Sequence, residues 1–205
     1  MASKLTSFGA GWVLALLGLA SVAAVAVTIE RSVVFWLSRD DVPKLSEQVA
    51  ALLARGQVVA ARHRLQESPS FEARVAVAAL DARDGDGARE KLAGARRFAQ
   101  LELEQHLVFL GTLGNNAPFI GLLGTVIGII RAFRELDGAE GRISQGLMNE
   151  VGEALVATAV GLLVALPAVI AFNTFNRMVR ARMTRAEALG AEVLAHVGRA
   201  PSEET

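Results

Sequence analysis

Ala154-Leu-Val-Ala-Thr-Ala-Val-Gly-Leu-Leu-Val-Ala-Leu-Pro-Ala-Val-Ile-Ala-Phe-Asn-Thr-Phe-Asn176 decides the fold: 23 residues without a charge, entered from Glu153 and closed by Arg177. The hydrocarbon core of a bilayer is about 30 Å thick and a helix rises about 1.5 Å per residue, so roughly 20 apolar residues span it. Two more runs exceed that length, residues 107–130 with 24 uncharged positions and residues 5–29 with 25. A helix in water needs a polar face, and none of the three runs offers a charged one. The expected fold is an all-α membrane protein with three transmembrane helices and cytoplasmic helical extensions.

The segments between the runs carry the charge. Residues 30–106 hold 12 Lys/Arg and 12 Asp/Glu. Asp41 and Pro43 mark a helix start, and Leu45, Val49, Leu52 and Leu53 follow at helical spacing. Gly56 breaks that helix. A second amphipathic pattern runs through Val58, Val59, Arg62 and Leu65 to Pro69, and a third from Phe71 to Ala82. Asp84-Gly85-Asp86-Gly87 reads as a turn. From Ala88 a polar helix passes Leu101 and Leu103 and is expected to run straight into the second span. The charged faces read as solvent-exposed, and no strand-like alternation occurs.

The layout is therefore a first transmembrane helix at 1–29, a cytoplasmic helical segment at 30–106 and a second transmembrane helix at 107–135. A periplasmic turn at 136–148, marked by Gly138 and Gly141, makes the last two spans an antiparallel hairpin. The third transmembrane helix and its cytoplasmic extension occupy 149–185, and a cytoplasmic tail 186–205. Three spans put residues 30–106 and the C-terminal tail on one side with 12 and 5 Lys/Arg, against 1 and 3 at the N-terminus and the hairpin turn. The positive-inside rule then places the N-terminus outside and the C-terminus inside. Lys4, the apolar core from Trp12 to Ala20 and Ala24-Val25-Ala26 have the outline of a signal peptide. The run is long enough to span and is followed by Arg31, so the first span is expected to be retained.

Composition excludes several functions. The chain has no cysteine, which removes disulfides and thiolate metal sites. His63, His106 and His196 lack ligand spacing. Twenty-one basic residues against 21 acidic ones leave no nucleic-acid footprint. No nucleophile–base pair or phosphate loop is legible, so the chain is not expected to be an enzyme or to hold a cofactor.

Small residues recur in the two later spans. Gly114, Ala117, Gly121, Gly124, Thr125 and Gly128 mark the second. In the third, Ala154, Thr158, Gly161 and Ala165 share a face, with Ala157, Gly161 and Ala165 as a neighbouring ridge. Such faces let membrane helices approach closely, so Gly121, Gly124, Gly128, Gly161 and Ala165 read as packing residues. Pro118 and Pro167 each remove a backbone donor within a span and read as kinks. Glu153 is a carboxylate inside the third helix, costly unless paired, protonated or facing water, and such residues mark pathways. Thr125 and Thr158 can bond back to the preceding turn or offer a donor and an acceptor to water or a partner's carboxylate. Glu153 and Thr158 are five residues apart. At about 100° per residue they diverge by about 140° round the helix.

The stretch Ala117-Pro-Phe-Ile-Gly-Leu-Leu-Gly-Thr-Val-Ile-Gly-Ile-Ile130, followed by Arg131-Ala-Phe133, resembles the second membrane helix of the MotA/TolQ/ExbB proton-channel family. Glu153-Ala-Leu-Val-Ala-Thr158 and its continuation to Asn173 are similar to the third. The resemblance implies the three-span TolQ/ExbB-like branch rather than the four-span flagellar one. It implies a pentamer around the helices of a single-span TolR- or ExbD-like partner, which supplies a membrane aspartate. Thr125 and Thr158 then match the pore threonines and Glu153 the membrane glutamate. The implied role is a proton-channel and stator subunit of a bacterial inner-membrane motor, driven by the proton motive force with protons as the coupling ion. TonB-type import, Tol-type envelope maintenance and gliding-type motility are the loads left open. The competing reading is a membrane scaffold whose small-residue faces assemble an envelope complex without conducting protons.

Overall fold

A computed structural model describes residues 11–81, 85–138 and 145–197. Among them every regular element is a helix: α1 (Gly11–Leu37), α2 (Val42–Ala54), α3 (Val58–Gln66), α4 (Phe71–Leu80), α5 (Gly85–Glu104), α6 (Leu107–Gly138) and α7 (Gln145–Val197). Three helices are long and apolar enough to cross a membrane, those beginning at Gly11, Leu107 and Gln145. The chain divides into two compact units, one of residues 1–30 and 106–174, the other of residues 31–105 and 175–205.

The first unit holds the apolar runs, and its packing is inverted relative to a soluble core. Ala117, Ala154, Ala157 and Ala165 are buried, while Leu19, Val22, Phe119, Leu163 and Leu166 are exposed. Lipid tails are as apolar as leucine, so a membrane helix gains nothing by hiding large side chains and associates through its small ones. Pro118 and Pro167 lie inside α6 and α7, which continue through them. The glycine pair expected to turn the hairpin is divided: Gly138 ends α6, and Gly141 falls outside the described residues.

The second unit follows the rules of water. Leu45, Val49 and Leu53 of α2, Ala61 and Leu65 of α3, Ala73, Ala76 and Ala79 of α4 and Leu189 and Val193 of α7 form one core. The Asp41 side chain accepts from Lys44 N, and Ser70 accepts from Ala73 N, capping α2 and α4. Gly56 adopts φ +71°, the left-handed backbone that glycine takes at no steric cost, and separates α2 from α3.

Four local expectations change. Of the α3 stripe drawn through Val58, Val59, Arg62 and Leu65, Leu65 faces the core as expected, joined by Ala61, whereas Val58, Val59 and Arg62 are exposed. Of the turn drawn at Asp84–Gly87, Gly85, Asp86 and Gly87 are already helical in α5, and Asp84 lies outside the described residues. The polar helix does not run into the second span: α5 ends at Glu104, and His106 has φ +63° before α6 starts. A left-handed histidine is sterically costly, and this one places Nδ1 2.9 Å from Glu30 Oε2. Finally, α1 continues to Leu37 and α7 to Val197, past the limits of the runs that define their spans.

Not all charges face solvent. Arg182 is 6% exposed and Glu72 2%. Arg182 donates to Ser38 Oγ at 2.7 Å and to Phe35 O at 2.8 Å, and its guanidinium lies 5.0 Å from the Phe35 ring centroid. It thus satisfies a carbonyl in the last turn of α1, where the helix dipole favours a cation. Burial pushes the Glu72 carboxyl above its ordinary value of 4.5, opposed by a backbone hydrogen bond and by Arg182 and Arg185. A carboxyl with a raised folded-state pKa keeps its proton where the unfolded chain has lost it, so its contribution falls as pH rises from 4.5 through the raised value. Glu72→Gln is expected to flatten that loss, melting closer to wild type at pH 4 and above it at pH 7 in thermal scans. A constant offset at all pH values would contradict the assignment.

Candidate functional site

The hairpin of α6 and α7 is built on backbone contact. A Cβ placed on Gly121 would lie 2.7 Å from Ala157 O and 3.0 Å from Thr158 Cα, and one on Gly161 would lie 2.6 Å from Ala117 O. At Gly128 it would meet the Ala154 side chain at 2.5 Å and Glu150 O at 3.2 Å. At Gly124 it would meet Ala157 of α7 at 2.6 Å and Val13 of α1 at 3.2 Å. Towards the other end, Gly114 faces Val169 and Gly111 faces Phe172. Each step forward along α6 pairs with a step back along α7, which fixes one antiparallel register.

That register brings the two threonines together. The Thr125 and Thr158 hydroxyls are directly hydrogen-bonded, and Thr125 Oγ1 also donates to Ala154 O at 3.0 Å. A hydroxyl has one hydrogen and two lone pairs. Thr125 spends its hydrogen on the Ala154 carbonyl, so Thr158 is the donor between the two. Thr158 keeps a lone pair with which to accept from a further donor. Both residues are half-buried. The face that Thr158 shares with Ala154, Gly161 and Ala165 is not left open within the chain: Gly128 lies against Ala154, Gly121 and Ala117 against Gly161, and Ala165 is buried.

Glu153 is the ninth residue of α7, two turns inside it, and does not join the threonines. It is half-exposed, and its Oε1 would come within 3.5 Å of a Cβ on Gly11, at the start of α1. Sequence reading missed Glu150, three residues earlier. Arg131 of α6 pairs with it at 2.8 Å. The signal was present: once Gly128 is set against Ala154, a residue one turn further along α6 falls beside residue 150. Among the described residues no cluster of His, Asp and Glu could hold a metal ion.

A hairpin of membrane helices, closed by glycines, with two hydroxyls bonded inside it and two carboxylates towards its turn, defines a polar membrane-helix protein rather than an inert anchor. The MotA/TolQ/ExbB proton channel family model matches residues 63–188, and the chain belongs to that family. It is 42% identical over 90 residues to the putative biopolymer transport protein ExbB-like 2 of Helicobacter pylori, covering 44% of this chain and 60% of that protein. It is 42% identical over 97 residues to the Tol-Pal system protein TolQ of Pseudomonas aeruginosa, covering 45% and 42%. With the biopolymer transport protein ExbB of Xanthomonas campestris pv. campestris it shares 49% identity over 78 residues, covering 38% and 30%. The chain thus spans at most 60% of these relatives.

The geometry makes the glycines testable. Gly121→Ala and Gly161→Ala each force a methyl group against a backbone carbonyl and are expected to destabilise the hairpin by about 1–3 kcal/mol. Gly94→Ala meets nothing within 4 Å and is the control, gaining up to about 1 kcal/mol from helix propensity. Thermal midpoints of the detergent-solubilised protein measure both. Equal midpoints for all three variants would mean the helices stand further apart.

Proposed function

We propose that this chain is the ring-forming, proton-conducting subunit of a bacterial inner-membrane motor driven by the proton motive force. In this reading five copies surround the membrane helices of a single-span partner, whose aspartate takes up and releases the proton. The N-terminus lies outside and the C-terminus in the cytoplasm. The relatives' names, biopolymer transport and the Tol-Pal system, favour TonB-type import or Tol-type envelope maintenance as the load in this reading; a gliding-type motor uses the same chemistry.

The observation that carries the reading is the Thr125–Thr158–Ala154 chain of hydrogen bonds. With its hydrogen on Thr125, Thr158 accepts from a protonated carboxyl. An ionised carboxylate needs a donor instead, and Thr158 supplies one by turning its hydrogen away from Thr125. The pair is thereby a two-state device that answers to the protonation of a facing acid. Glu153, on a different side of α7, holds a proton on its way to or from that acid.

One observation favours the scaffold alternative: both hydroxyls are already bonded within the hairpin, where they would also serve as glue. Substitution separates the two. Thr158→Val keeps the shape and removes the hydroxyl, while Thr158→Ser keeps it. In proteoliposomes holding the complex with its partner, Thr158→Val is expected to cut proton uptake by about tenfold or more, the equivalent of one charge-assisted hydrogen bond. Thr158→Ser should retain most of the flux, and Glu153→Gln should lose it, all three remaining assembled by native mass spectrometry. Normal flux in Thr158→Val would leave the scaffold reading standing.

A further inference from the structure

Arg131 Nη2 lies 2.8 Å from Glu150 Oε1, and the two side chains are 31% and 16% exposed. The ion pair uses one carboxylate oxygen. The other, Oε2, is buried and has no hydrogen-bond partner among the described residues. Leaving a buried charged acceptor unsatisfied costs about 1–3 kcal/mol or more. A position that only packed helices together would hold leucine or alanine, as its neighbours do. Glu150 is also anchored by its backbone, since its carbonyl lies against Gly128 of α6.

The surroundings give the carboxylate a direction. Glu153 follows three residues later on α7, with Oε1 turned towards Gly11. Thr158 follows eight residues after Glu150. That places it about 12 Å along the helix axis. Among the described residues, Arg131 of α6 pairs with Glu150, Glu135 of α6 lies beside Gly146 one turn before it, and Glu153 follows on its own helix. The turn end of the hairpin thus gathers two carboxylates at successive turns, one of them with a free buried oxygen.

We propose that Glu150 is a second relay carboxylate on the proton route, ahead of Glu153, and that Arg131 is the positioning residue that aims it. The proposal rests on the proton-conducting function. A hydronium ion at the turn end gives its proton to Glu150 Oε2: an O–H bond forms there, and water is left behind. The proton then leaves through water to the Glu153 carboxylate, which restores the Glu150 anion and its pair with Arg131. No electrons are exchanged and no other reactant is consumed. Neutral Glu150 loses its Coulombic hold on Arg131, so the pair loosens and re-forms once per proton.

Proton uptake by proteoliposomes containing the full complex tests this with Glu150→Gln, Arg131→Gln and the double variant. Glu150→Gln is expected to lower uptake by about a hundredfold, the scale of a lost positioned acid–base group. Arg131→Gln should lower it less. The double variant, neutral on both sides, should assemble as wild type does and stay as slow as Glu150→Gln, because the relay oxygen is still gone. Wild-type uptake in Glu150→Gln, or recovery in the double variant, would overturn the proposal and leave the pair a structural one. If Glu150→Gln fails to assemble, the double variant alone carries the test with the same two outcomes. A wild-type complex that admits no protons would overturn the underlying function, a result distinct from a loss confined to the Glu150 variants.

Discussion

Contact between the backbones of α6 and α7 is the constraint on which the membrane unit depends. At Gly121 and Gly161 the two helices leave no room for a methyl group on either side. In a bilayer this is where association energy comes from, because dispersion between close backbones replaces the hydrophobic gain available in water. Everything polar in the hairpin follows from the register it sets. Thr125 reaches the Ala154 carbonyl and the Thr158 hydroxyl, and Arg131 reaches Glu150, only because the glycines bring the backbones together at Gly121 and Gly128. Large side chains such as Leu122, Leu163 and Leu166 are displaced outward and exposed.

The other unit solves a different problem. Its helices α2 and α4 are short and capped, and the unit buries a face of leucine, valine and alanine, as helices in water do. One of its exceptions is an interior arginine. Arg182 is held by Ser38, by the Phe35 carbonyl and by an aromatic face, so its hydrogen-bonding capacity is largely met. Losing it would strand the end of α1 without a donor for that carbonyl.

The three spans were legible because length and absence of charge are enough to define a membrane helix. Caps at Asp41 and the break at Gly56 were legible because their chemistry is local. Where tertiary context ruled, the sequence misled. Nothing in Gln105-His106 decides a break: histidine adopts left-handed backbone more often than most residues, but too rarely for its presence to signal a stop. Leu65 was read correctly, but Val58 and Val59 suggested a buried face that the core does not take, and Ala61 packs there with Leu65 instead. Arg182 was counted among the basic residues that set orientation, and its burial is invisible without the partners on α1 and α4. At the site, Thr125, Thr158 and Glu153 were each recognised as polar residues in apolar runs. The direct pairing of the two threonines was not, because it depends on which glycine meets which carbonyl. Arg131 was counted only as a basic residue of the hairpin turn, and Glu150 was missed, for the same reason.

The central claim is that close helix packing makes the two threonines one functional unit. A double-mutant cycle on proton uptake measures this directly, using Thr125→Val, Thr158→Val and both together in the assembled complex. If the hydroxyls act as a single hydrogen-bonded device, each single variant loses nearly all that the pair contributes, and the double is no slower than either. Losses that multiply, with the double variant slower by the product of the two single effects, would show two independent groups and contradict the account.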